Sequence, residues 1–83
     1  MRRDEAVKLL KEVSDKCQSL APYAIALMPP DADDVLSLGF QVHIFANLDE
    51  ASILCLKLIL EKAGLHLKML QEKNLLVIYR PRI

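Results

Sequence analysis

The chain has 83 residues, 53% of them apolar, with sixteen leucines and a formal net charge of zero. That length suits one domain with little interior to spare, and the composition excludes the disordered, collagen-like and disulfide-dense classes. Zero net charge removes the general attraction for nucleic acid, and Lys57 interrupts the best apolar run before it reaches bilayer-spanning length.

The first residues, Met1-Arg2-Arg3-Asp4-Glu5-Ala6, carry basic charge with no apolar run behind it, so no secretory leader is expected. The location expected from this is the cytoplasm. Residues 4 to 17 follow as an amphipathic helix, because Ala6, Leu9, Leu10, Val13 and Cys17 recur at three- and four-residue spacing. Asp4 and Glu5 suit the positive end of its dipole and Lys16 the negative end. Glu12 and Lys16 form a favourable pair four residues apart.

Ser19 to Pro22 break the helix, and Tyr23 to Met28 read as a short strand. Tyr23, Ile25 and Leu27 alternate with Ala24 and Ala26, which predicts close helix packing on the alanine side. Pro29 and Pro30 end the strand, since neither donates to a ladder. Asp31, Asp33 and Asp34 then cluster in a loop. Three carboxylates suit a hard cation, but the loop lacks the glycine and distal glutamate of a calcium site. A capping role before Val35, Leu36 and Leu38 is the preferred reading, and no metal is expected.

Gly39 to Ala46 gives the clearest strand, with Phe40, Val42, Ile44 and Ala46 on one face and Gln41, His43 and Phe45 on the other. The mixed second face suggests a sheet surface that is partly wet. From Asn47 to Gly64 runs the most apolar helix of the chain. Asn47 and Glu50 are spaced as a capping pair, and Gly64 suits a left-handed stop. Ile53, Leu54, Leu56, Leu58, Ile59 and Leu60 leave only a narrow polar stripe of Glu50, Lys57 and Glu61. Such a helix is expected to be covered on more than one side.

Leu65, Leu67 and Met69 alternate with His66 and Lys68, Glu72 to Asn74 give a polar turn, and Leu75 to Tyr79 form a second apolar run. This predicts a C-terminal hairpin. A rival reading extends the central helix to about Glu72; the Gly64 stop and the clean alternation favour the hairpin. The order helix, strand, strand, helix, strand, strand is a ferredoxin-like βαββαβ unit with its first strand moved to the end. The expected fold is one α+β domain, two helices on one face of a four-stranded, mainly antiparallel sheet.

Cys17 and Cys55 lie too far apart for a Cys-x-x-Cys motif, and each falls on an apolar helix face. Buried thiols in a reducing compartment are the preferred reading, with a helix-to-helix disulfide as the alternative. From Asp31 to Glu50 the ionisable charge is only acidic, Asp31, Asp33, Asp34, Asp49 and Glu50. From Lys57 onward Lys57, Lys62, Lys68, Lys73, Arg80 and Arg82 outnumber Glu61 and Glu72. Such asymmetry can steer a partner or cancel within the fold.

Three functional classes remain open. A non-catalytic interaction module, self-associating or bound to another protein, is favoured by the surplus apolar residues, with Leu70, Val77 and Tyr79 as candidate contacts. A module for RNA or single-stranded nucleic acid is the alternative, with Phe45, His66, Lys68, Tyr79, Arg80 and Arg82 as candidates. Only four aromatic residues and zero net charge weigh against it. Catalysis is not expected, because the two glycines build no phosphate cradle, His43 has no acid or Cys close in sequence, and no metal-type spacing brings His43 and His66 to acids. No cofactor and no membrane association are expected.

Overall fold

The computed structural model describes residues 1–20, 24–30 and 38–81. Helix α1 spans Arg3–Lys16 and buries Ala6, Leu9 and Val13. Those residues belong to the three- and four-residue stripe of the sequence, and Cys17 ends the helix with its N–H donating to Val13 O at 2.8 Å. A single 3-10 turn, Gln18–Leu20, then buries Leu20. Strands β1 (Ala24–Met28) and β2 (Gln41–Phe45) precede helix α2 (Glu50–Ala63). Strand β3 (His66–Leu70) and strand β4 (Leu75–Tyr79) close the chain as a hairpin around a 3-10 turn at Gln71–Lys73. The hairpin reading therefore holds, and the rival extension of α2 does not. Gly64 explains why: at φ 70° it lies in the left-handed region, where glycine carries no side-chain penalty, and it stops the helix.

The sheet order is β1-β2-β4-β3, with every neighbouring pair antiparallel. The α2 connection from β2 to β3 leaves a gap one strand wide, and β4 fills it. This is the strand order of a ferredoxin-like unit whose first strand has moved to the end. Ile25 pairs with Ile44, and Leu27 and Ile78 both pair with Val42, so the large apolar side chains of β1, β2 and β4 share one face. Both helices pack there, in a single core that includes Leu9, Val13, Leu56, Leu60, Ile44 and Ile78.

Three expectations change. The helices pack on the Ile25 and Leu27 side of β1, and the alanines face away; burying the larger side chains removes more apolar area from water. The cap of α2 is Asp49, whose Oδ1 accepts from Ser52 N at 2.9 Å, while Asn47 donates to Asn74 Oδ1 across the β3–β4 turn at 2.7 Å. Asp49 is as good a cap as Asn47, and the helix starts where its backbone can use it. Finally, Cys17 and Cys55 are joined as a disulfide, with Cα atoms 6.1 Å apart. The cross-link ties the end of α1 to the middle of α2, which displaces the reading of two free thiols.

The acidic loop of Asp31, Asp33 and Asp34 lies outside the described residues, as do Tyr23 and Arg82. Among the described residues no helix is long and apolar enough to cross a membrane.

Candidate interaction surface on the open sheet face

Both helices lie on one side, and among the described residues no element covers the opposite face of the sheet. Alternation decides which side chains it carries. Ala26, His43, Val77 and Lys68 align across all four strands as one row. Ala24 opposite Phe45 and Leu70 opposite Leu75 extend it toward one end, and Met28 opposite Gln41 and His66 opposite Tyr79 toward the other. At the centre Val77 stands between His43 and Lys68. Val77 is only 7% exposed, hemmed in by its row neighbours, while Phe45 is 50% exposed.

Two ring contacts order the surface. His43 meets the edge of Phe45 with centroids 6.5 Å apart, and His66 meets Tyr79 at 5.9 Å; edge-to-face rings attract modestly at such separations. His43 Nε2 also donates to Gln41 Oε1 at 2.9 Å. Burial holds the His43 imidazole below the usual histidine range, so it is neutral at physiological pH. Among the described residues no carboxylate lies on this face, and Lys68, on the edge strand, is its one permanent charge.

The sequence candidates divide cleanly. Leu70, Val77 and Tyr79 converge here, and so do Phe45, His66 and Lys68. Arg80 does not. One residue past Tyr79 it turns to the helical side, where its guanidinium donates to Glu5 and, at 3.2 Å, to Ala63 O. That engagement withdraws Arg80 from the nucleic-acid set. The Arg80 hydrogen bond, opposed by some desolvation, holds the Glu5 carboxyl below its ordinary range. A depressed carboxylate stabilises the fold above its unfolded pKa, and that contribution is lost as pH falls through the folded value. Acid unfolding of a Glu5→Gln variant is therefore expected to depend less on pH below about 4.5, the ordinary glutamate range, than that of the parent. The effect is modest, because both side chains are about one-third exposed. Unfolding midpoints measured over a pH series check it, and parallel curves would dismiss the pair.

A second uncovered apolar patch lies on α2. Leu54 and Leu58 are 59% and 56% exposed, four residues apart on the outer face, so the helix is covered on one side only. Its high apolar content led to the expectation of fuller cover, but two helices over a small sheet leave their outer faces to solvent. Among the described residues, no group of three or more His, Cys, Asp and Glu side chains is placed to hold a metal ion. His43 and His66 lie on strands separated by β4. Comparisons with protein-family models, curated proteins and solved structures return no match.

Proposed function

We propose that this protein is a non-catalytic association module of the cytoplasm whose working surface is the open sheet face, paired with the same face of a second copy. The apolar side chains of the open face, Met28, Phe45, Leu70, Leu75 and Val77, with no carboxylate among its described residues, carry this reading. An exposed apolar patch with polar residues at its margin is the usual composition of an interface. The distribution of charge suits a two-fold pair. An axis parallel to the strands lays β3 of one copy over β1 of the other, so each Lys68 meets the uncharged edge around Ala26 rather than its own counterpart.

Size sets the strength. Four strands about 4.8 Å apart and five residues of about 3.4 Å give a footprint of about 20 by 17 Å, against about 800 Å² of accessible surface per partner in a standard interface. The pair is weak and concentration-dependent. Light scattering over a concentration series is expected to move from the monomer mass toward twice that value. Phe45→Lys is expected to hold the protein monomeric while leaving its circular dichroism unchanged, because Phe45 supports no core contact. A mass that stays monomeric at every concentration would overturn the pairing.

The convergence of Phe45, His66, Lys68 and Tyr79 favours a second reading, in which bases of a single strand stack on this face. Lys68, the one permanent cation on the face among the described residues, and an engaged Arg80 give little counterion release. A shallow salt dependence of oligonucleotide binding, abolished by Phe45→Ala, distinguishes that reading from self-association.

A further inference from the structure

The two sulfurs of the disulfide differ in access. Cys17 is 2% exposed, packed beneath the end of α1, whereas Cys55 is half-buried and opens onto a surface groove of about 160 Å³. Glu12, Lys16, Leu58, Ile59 and Lys62 complete the groove. Lys16 is held by Glu12 at 2.8 Å, so the groove offers two ammonium groups against one carboxylate. Excess positive charge attracts a thiolate and lowers the pKa of a cysteine beside it. An acceptor for a reduced Cys55 also stands ready, since Lys16 O lies 3.6 Å from its Sγ.

From this asymmetry we propose that Cys55 is a thiol–disulfide exchange site, through which the Cys17–Cys55 cross-link is made and broken in the folded protein, with dithiols as the reacting class. A dithiol's thiolate enters the groove and attacks Cys55 Sγ. A new S–S bond forms, the Cys17–Cys55 bond breaks, and Cys17 leaves as a thiolate that takes a proton from solvent. The dithiol's second thiolate, formed by loss of its proton to solvent, attacks its own sulfur in the mixed disulfide. That releases Cys55, which is protonated and donates to Lys16 O. Two electrons pass to the protein and the dithiol is oxidised to its cyclic disulfide. The exchange frees the end of α1 from α2. The site lies on the helical side of the sheet and is independent of the association face.

The test uses dithiothreitol without denaturant, with acid quenching, alkylation and mass measurement. The rate of thiol appearance is expected to rise in proportion to dithiothreitol and to exceed the rate of global unfolding. A rate that saturates at the unfolding rate would overturn the site. Two folded variants then separate the sulfurs. With oxidised glutathione, Cys55 in Cys17→Ser is expected to form the mixed disulfide about tenfold faster than Cys17 in Cys55→Ser, following its exposure and charge. Equal rates, or a faster Cys17, would overturn the assignment. If either variant fails to fold, the parent's dependence on dithiothreitol alone decides.

Discussion

Reduction of the Cys17–Cys55 disulfide is expected to lower stability by about 2–4 kcal/mol, the span of a native cross-link that closes a loop of this length. The two cysteines are 38 residues apart in sequence, so the cross-link restricts nearly half of the unfolded chain. In the native fold it joins elements that already touch through a shared core, so little native freedom is lost. For a domain of this size each kcal/mol moves the midpoint by about 4–8 °C, which predicts a fall on the order of 10–30 °C. Thermal unfolding by circular dichroism, with and without dithiothreitol, measures it. An unchanged midpoint would mean that the folded protein does not carry the cross-link. Linkage also works in reverse, because a fold stabilised by a disulfide favours the oxidised pair to the same extent. The exchange site at Cys55 concerns the route of reduction, and the stability change concerns its equilibrium. The two measurements are separate.

Gly39→Ala is expected to cost about 2–4 kcal/mol, more than its position in a connecting segment suggests. Gly39 has φ 76°, a region where an L side chain costs about 1–2 kcal/mol. The larger effect is contact: an added Cβ would stand 2.4 Å from Met1 O. Met1 is tightly placed. Its N donates to Leu38 O, its O accepts from Phe40 N at 2.7 Å, and its side chain is 3% exposed. Moving it aside forfeits a hydrogen bond of about 1 kcal/mol and part of a buried methionine. Gly64→Ala is the control, because its φ of 70° brings a similar backbone penalty but the nearest atom is Arg80 Nη1 at 3.7 Å, an ordinary contact. Urea unfolding of both variants separates steric from conformational cost. If Gly39→Ala is no worse than Gly64→Ala, the packing of Met1 against residues 38–40 contributes nothing.

Local signals in the sequence carried most of the fold. The stripe from Ala6 to Val13, the stop at Gly64 and the alternation from Leu65 to Tyr79 each depend on neighbours within one or two turns. Those local periods name an element whatever lies across the core. The side of β2 that would remain partly wet was legible in the same way, since Gln41, His43 and Phe45 alternate with Val42 and Ile44. The hairpin was legible but its register was not, and the pairing of Leu70 with Leu75 and His66 with Tyr79 is what put Leu70, Val77 and Tyr79 on the open face.

Properties that depend on distant partners were decided by the tertiary structure. Nothing near Cys17 in sequence points to Cys55; the two meet only because α1 and α2 pack on the same face of the sheet. Ala24 and Ala26 fit either side of a strand, and the pairing of Ile25 with Ile44 and Leu27 with Val42 turned them outward. Asp49 and Asn47 are equally suited to cap α2, and the contact of Asn47 with Asn74 left the cap to Asp49. Arg80 belongs by composition to a basic tail, yet strand alternation and the nearness of Glu5 fixed it on the helical side. Sequence by itself determined the elements and their hydrophobic faces, because these follow from backbone periodicity. The tertiary structure decided the cross-link, the face left open and the charges available on it, because each requires residues brought together from opposite ends of the chain.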